Sequence, residues 1–223
     1  MLLLATDTSG KHGSIALARA GSHDAESVEV LEVVPLAGGT FSAQLVPQIS
    51  SLLAKHGLTK EDIGVFVVAS GPGSFTGLRV GLAAIKALAE VLQKPIVAIS
   101  LLEAIALNSG AQGRVATALD AGRGEVYMAE YDVAGGKARL LGQRILSREE
   151  FCGQAPGKKV VTPDAGWAQL AGPSGCTVDP IDAGAIARIG WHKLRAGETV
   201  SPEQLDANYI RRSDAEIFAK VRP

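Results

Sequence analysis

The amino-acid sequence predicts an α/β protein built as two similar lobes, and three observations carry that expectation. An uninterrupted apolar run, Ile63 to Ala69, leads through a glycine-rich turn into a helix ending near Leu92. The chain then repeats itself. An apolar strand ending in an aspartate, a glycine-bearing turn and an outgoing apolar strand occur at Asp7 and again at Asp120, 113 positions apart in 223 residues. Duplication at about half the chain length predicts two lobes with a cleft between them, here residues 1–103 and 104–223. Finally, 47% hydrophobic and 20% charged residues are ample for cores of that size.

In the first half, Leu2–Ala5 is read as a buried strand closed by Asp7, Thr8 and Ser9. Gly13–Ala18 follows as a second strand after a hairpin turn at Ser9–His12, and Val28–Pro35 as a third. Ser42 caps a helix running to His56 and ending at Gly57, with Leu45, Ile49, Leu52 and Leu53 at helical spacing and Pro47 bending its early part. Ile63–Ala69 is β-branched and aromatic at Val65 to Val68, the signature of a buried parallel strand. Pro95–Ile99 is a short strand, and Leu101 to Asn108 a helix.

The second half opens with strands at Val115–Leu119 and Glu125–Tyr131 around the turn that follows Asp120. Gly135-Gly136 turns into a strand at Arg139–Ile145. Ser147 to Glu150 is a capping box opening a short helix. Lys159–Thr162 is a strand, Pro163–Gly166 a turn before Trp167, and Gly172–Pro180 a loop. Asp182–Arg195 is the last sizeable helix, followed by a tail over Pro202–Phe218.

The stretch SGPGSFTGLRVGLAAIKALAEVL, Ser70 to Leu92, is the most informative in the chain. Gly71, Gly73 and Gly77 permit close backbone approaches that a Cβ forbids. A strand, glycine turn and helix N-terminus together can hold a phosphate. The named loops fail, since Leu78 and Arg79 stand where a Walker loop has Lys and Ser/Thr, and Thr76 where a dinucleotide loop has Gly. Phosphate binding and a purely structural turn both remain open. Gly77, Gly81 and Ala84 give one helix face almost no bulk, next to Val80 and Leu88. That face is expected to meet a second helix at a partner interface, together with Leu45, Ile49 and Leu52 of the preceding helix.

Read for chemistry, the rest is sparse. His12, His23, His56 and His192 are scattered without metal-ligand spacing. Ser70, Ser74 and Thr76 lack a nucleophile elbow and are read as capping residues. Cys152 is expected in the core and Cys176 in a loop; neither suggests a disulfide framework, which fits a reducing cytoplasm. Arg79, Arg123, Arg211 and Arg212 carry forks suited to phosphate, carboxylate or ion pairs. Trp167, Tyr127 and Tyr209 are read as packing or interface aromatics. A net charge of −1 gives no global basic field for nucleic acid. No apolar run approaches membrane-spanning length, and the opening MLLLATDTSG reads as a strand rather than a leader.

The string GPGSFTGLRVG, with its small-residue helix, closely resembles the bacterial TsaB (YeaZ) family, whose members help make threonylcarbamoyladenosine on tRNA. ALDAGRGEVYMAEYD and NYIRRSDAE resemble two further segments of that family, in the same order. The resemblance implies two ribonuclease-H-like lobes of the actin, sugar-kinase and Hsp70 superfold. Asp7 also resembles the acidic residue opening that superfold, which faces metal-bound phosphates in its enzymes; as a residue it serves equally to cap a turn. Asp7, Thr8 and Asp120 are therefore the candidate nucleotide-binding residues, with ATP or ADP as ligand.

Relatives usually carry His-Ser where this chain has Phe41-Ser42, so no role passes to a histidine there. The catalytic paralogue TsaD holds a metal with an H-x-x-x-H helix, and the corresponding positions here are Leu101 and Ile105. The resemblance thus implies a cytoplasmic, non-catalytic subunit without metal, activating a TsaD-like paralogue, joined by a TsaE-like ATPase and reaching tRNA through the complex. On its own it is expected to form a homodimer. The competing expectations are an ATP-dependent kinase of the same superfold and a glycoprotease-like peptidase.

Overall fold

The computed structural model describes residues 1–21 and 28–210. In the first lobe, β1 (Leu2–Asp7), β2 (His12–Ala20) and β3 (Val28–Ala37) form an antiparallel meander. After helix α1 (Phe41–Lys55), strand β4 (Ile63–Gly71) adds parallel to β1; after α2 (Phe75–Leu92), β5 (Ile96–Ser100) adds parallel to β4. The sheet order is β3-β2-β1-β4-β5. Helix α3 (Leu101–Asn108) then leads into the second lobe.

The same construction follows. Strands β6 (Gly113–Gly122), β7 (Glu125–Ala134) and β8 (Lys137–Ser147) form the meander. After α4 (Arg148–Gln154), β9 (Val160–Thr162) pairs parallel to β6. After α5 (Ala165–Leu170), β10 (Gly175–Thr177) pairs parallel to β9, and α6 (Ala183–Arg195) closes the lobe. The order β8-β7-β6-β9-β10 repeats the first sheet strand for strand. Duplicated ribonuclease-H-like topology of this kind is the actin, sugar-kinase and Hsp70 superfold expected from the sequence.

Local chemistry explains most boundaries. Ser74 caps α2 by accepting from the Gly77 N–H, and Gln93 ends the helix in the left-handed region. Ser147 and Glu150 form the capping box of α4. Asp182 caps α6, taking the Ala185 N–H at 2.8 Å. Helix α1 starts two residues earlier than expected, with its N-cap at Thr40 rather than Ser42 and no side-chain cap bond, and runs through Pro47. Strand β10 lies where the glycine- and proline-rich composition predicts loop; three residues paired with β9 are too short to register as a strand in sequence.

The outer helices α1 and α2 cover one face of the first sheet with Leu45, Ile49, Leu52, Leu78, Leu82 and Ile85. Its other face, lined by Leu3, Ala5, Val65 and Val67, is covered by Ala183, Ile186 and Ala187 of α6. In the second lobe Phe151 and Trp167 of α4 and α5 pack on Ala116, Ala118 and Met128. The opposite face, with Val115, Ala129 and Tyr131, is covered by Leu102, Ile105 and Ala106 of α3. The last helix of each half therefore serves the other half's sheet. A division after residue 103 falls within α3.

Lys193 on α6 joins these two helices through both carboxylate oxygens of Glu103, at 2.8 and 2.9 Å. Beyond α6 the chain returns to β5, where the Val200 N–H donates to the Ile96 carbonyl. It then buries Leu205 in the first core and gives the Asn208 N–H to the Ser70 carbonyl. Among the described residues no helix is long and apolar enough to cross a membrane.

Candidate functional site

The first corner of interest lies where β1 ends. Asp7 is 6% exposed, and its Oδ1 accepts from both the backbone N–H of Ser9, at 2.8 Å, and the Ser9 hydroxyl, at 2.5 Å. Burial pushes the carboxyl above its ordinary range, and the two bonds from Ser9 pull the other way without cancelling it. Alternation along β1 puts Leu3, Ala5 and Asp7 on the α6 face and Thr8 on the α2 face.

Helix α2 is pressed against this corner. The Thr8 hydroxyl donates to the Gly77 carbonyl at 2.8 Å, and the Ser74 N–H donates to the Ser9 carbonyl at 2.6 Å. A Cβ on Gly77 would lie 2.0 Å from the Thr8 carbonyl oxygen, and one on Gly81 2.2 Å from the Thr8 Oγ1. One on Gly73 would lie 2.4 Å from the Ser9 carbonyl oxygen. Gly73, Gly77 and Gly81 therefore admit Thr8 and Ser9, while Gly71, at φ +105°, supplies a backbone angle. Ser74 N–H and Gly77 N–H are bonded inside the lobe and so are not open to a phosphate.

That settles where the expected interface residues sit. Leu45, Ile49 and Leu52 are buried in the lobe's own core. Gly77 and Gly81 face Thr8, and Val80, Ala84 and Leu88 pack partly buried against the same core. Gly77 and Gly81 are thus taken up by Thr8 inside the lobe, while Val80, Ala84 and Leu88 keep part of their surface outward. A different stripe of α2 is turned outward, namely Phe75, Arg79, Ala83, Ala87 and Val91. The signal was present in the sequence as a four-residue recurrence one helix face away from the glycines.

The second corner, at the end of β6, is built differently. Asp120 is exposed; its Oδ1 accepts from the Trp167 indole N–H at 3.0 Å, and its backbone N–H donates to Asp164 Oδ2 at 2.9 Å. Trp167 itself is buried edge-on against Phe151, at 5.2 Å between centroids. A cavity of about 620 Å³ opens here, lined by Asp120, Gly124, Arg148, Asp164, Trp167 and Leu170 among others; Asp7 is not in its wall. Along β6, Val115 and Leu119 face α3, while Ala116 and Ala118 face α4 and α5, and Asp120 follows the latter. Asp7 and Asp120 thus occupy opposite kinds of sheet face.

The remaining candidates resolve individually. The Phe41 ring lies in the first core against Gly13, where a Cβ would come within 2.7 Å of it. Leu101 and Ile105 are core residues, and among the described residues no group of three metal-ligating side chains occurs. His56 pairs with Glu32 at 3.0 Å, His12 and His192 are exposed, and His23 lies outside the described residues. The Ser70 hydroxyl donates to the Ile99 carbonyl. Thr76 and Arg123 are exposed. Cys152 is exposed rather than core, because Phe151 takes the inward position of α4; Cys176 is exposed as well. Tyr127 and Trp167 are packing residues, and Tyr209 stacks at 5.3 Å on Phe75. Arg211, Arg212 and the rest of the tail lie outside the described residues.

Comparison with known proteins adds three findings. The family model for TsaD, tRNA N6-adenosine threonylcarbamoyltransferase, matches residues 33–165. A Bacillus subtilis protein named tRNA threonylcarbamoyladenosine biosynthesis protein TsaB is 36% identical over 137 residues, 61% of this chain and 57% of the relative. The Haemophilus influenzae protein of that name is 30% identical over 182 residues, 75% of this chain and 73% of the relative. The matched stretch thus spans little more than half the length of the Bacillus relative. The solved structure of YeaZ from Pseudomonas aeruginosa superposes with a TM-score of 0.75 at 26% identity, covering 93% of this chain and 99% of that one.

Proposed function

Because the chain belongs to the TsaB family, we propose that it is a non-catalytic subunit in threonylcarbamoyladenosine biosynthesis. It supports transfer of threonylcarbamoyl to N6 of the adenosine next to the tRNA anticodon by a TsaD-like paralogue. A TsaE-like ATPase joins the assembly, tRNA is met through the complex, and the work is done in the cytoplasm. Residues 1–103 and 104–223 act as its two lobes.

One observation beyond family membership carries the non-catalytic part. The corner at which a kinase of this superfold would hold phosphate is filled by the chain's own α2, with Gly77 and Gly81 against Thr8. The apolar Leu101 and Ile105 support the same reading, standing where the paralogue's metal ligands would be. Neither kinase nor peptidase gains a comparable observation.

Reconstitution tests the proposal. The purified chain and the TsaD-like paralogue of the same organism are supplied with TsaE-like ATPase, threonylcarbamoyl-adenylate and tRNA. Modified adenosine is expected only when this chain is present. Transfer undiminished in its absence would refute the role, and ATP turnover by the pure chain would favour the kinase.

A further inference from the structure

One face of the second lobe carries a charge pattern that neither corner uses. Helices α4 and α5 cover Ala116, Ala118 and Met128, and the same face of the β6, β7 and β8 meander runs on beyond them. There the strand register sets Arg114, Asp132 and Arg139 in one row across the three strands. Lys137 stands one row further out, and Glu130 and Arg144 stand in the two rows before it on the helix side. Successive rows are about 7 Å apart, and neighbouring strands about 4.8 Å. Lys158, in the loop ahead of β9, joins the group by pairing with Glu130 at 3.1 Å. Arg114, Lys137, Arg139, Arg144 and Lys158 thus surround two carboxylates, in a chain whose net charge is −1.

The carboxylates do not neutralise this face. Glu130 is shared between Arg144, at 2.8 Å, and Lys158, and Asp132 meets Arg139 at 3.0 Å through a single guanidinium nitrogen. The Arg139 side chain stays 73% exposed and that of Arg144 45%. Among the described residues no carboxylate pairs with Arg114 or Lys137. Each arginine therefore keeps N–H groups for a further acceptor. Large apolar side chains are missing from these rows. Gly142 lies opposite Glu130 with no atom within 4 Å of an added Cβ, Leu141 is the extra residue of the bulge, and Leu140, opposite Tyr131, turns to the other face. A protein partner needs a well-packed anchor at the centre of its contact, and these rows offer none. Cations one or two rows apart on bare sheet suit instead a run of phosphates, which is held by charge without any reading of bases.

We propose that this face of the second lobe binds the phosphate backbone of a folded RNA. The identity of that RNA as tRNA rests on the pathway reading above; direct contact by this chain, through the β6, β7 and β8 face, is additional to it. Arg114, Lys137 and Arg139 make the outer contacts, where no helix stands over the sheet, and Asp132 moderates them by holding Arg139. A neutral chain overall with a basic face confines the RNA to one side of the molecule.

Fluorescence anisotropy of labelled tRNA with the full chain, between about 50 and 200 mM salt, tests it. The wild type should bind at low salt and weaken steeply as salt rises. The triple variant Arg114→Gln, Lys137→Gln, Arg139→Gln should bind at least about tenfold more weakly, with a log–log salt slope smaller by about 0.7–0.9 for each charge removed. Its thermal melting should match the wild type, because all three side chains are exposed; if it melts early, Lys137→Gln alone should still lower the slope by one such step. Asp132→Asn, which frees Arg139, should bind more tightly than the wild type, and Lys60→Gln, on the first lobe, should change neither affinity nor slope. A wild type that binds no tRNA, or a triple variant with unchanged affinity and slope, would overturn the proposal. Polyglutamate bound as tightly as tRNA would overturn it too, by assigning the face to an acidic protein. If the chain is dispensable for modification yet keeps this binding, the pathway reading fails and the face stands; if modification needs the chain but the triple variant binds undiminished, the face alone fails.

Discussion

At the end of β1 a carboxylate is buried and its neighbours are clasped by a helix; at the end of β6 a carboxylate is exposed beside a cavity, held by an indole. Both corners come from the same strand order and the same turn position. They differ in one residue of phase. Because side chains alternate along a strand, a single step carries a group from one face of the sheet to the other. Asp7 falls on the face that α6 covers, and Asp120 on the face of α5. A sequence repeat can therefore preserve a topology while setting its repeated aspartates on different faces.

The contrast is broken most severely at Gly77. An added methyl there would sit 2.0 Å from a backbone oxygen that cannot turn aside. Gly77→Ala is expected to cost at least about 3 kcal/mol in urea unfolding, and a variant within 0.5 kcal/mol of wild type, roughly the size of a surface change, would show that the corner yields.

The contact between the two exchanged helices comes next. Lys193→Ala leaves Glu103, itself poorly exposed, without its cation, and should cost about 2 kcal/mol. The wild type should also weaken in alkali. Burial lowers the Lys193 pKa, but its bonds to Glu103 and the charge of Glu198 outweigh that, and the ammonium is held above its usual range. Burial, with the charge of Glu103 adding to it, pushes the Tyr131 phenol up to about 12. In both groups the native form keeps its proton to higher pH than the unfolded chain does. Their stabilisation is complete below about pH 10 and is lost on titration towards pH 12, as chemical denaturation at stepped pH would record.

Asp7 sharpens the comparison at smaller scale. Its raised pKa means the native form keeps the carboxyl proton to higher pH than the unfolded chain, so this group's contribution falls as pH rises above 3.8. Asp7→Asn should therefore stabilise the protein at pH 7 by about 1 kcal/mol and flatten that dependence, whereas Asp120→Asn, at an exposed site, should change it by less than about 0.5 kcal/mol. Smallest is Gly166, near the start of α5, with no atom within 4 Å of an added Cβ. Gly166→Ala should stabilise by about 0.5 kcal/mol through helix propensity alone, the reverse of Gly77→Ala. A loss instead would mean that α5, too, is closely held.

Much of this molecule is legible before folding. The duplication, the strands and most helices follow from apolar runs and caps such as Ser147, Glu150 and Asp182, which are local properties. The direction in which α2 turns its glycines is not local. It depends on Thr8, some seventy residues earlier, and a small helix face looks the same whether a foreign helix or a hairpin backbone lies across it. The mismatch of Asp7 and Asp120 hides for the same reason, since a motif aligned by its turn can be out of phase by its pleat. Cys152 shows the effect in miniature: the neighbouring Phe151 took the only inward position.

The exchange of α3 and α6 has a consequence for how the chain becomes a protein. Each half has its inner sheet face covered mainly by the last helix of the other, although α3 also lays Leu101 and Ala104 on the first sheet's cluster. A polypeptide cut between Asn108 and Gly113 would yield two pieces that each expose a bare apolar sheet, so neither should be stable by itself, yet mixed together they should complement one another into a whole. On the ribosome the first half must wait for α6, nearly the last helix made, before its sheet is closed on both sides. The lobes are thereby coupled into one cooperative unit, and a hinge that swings them apart would have to strip both sheets at once.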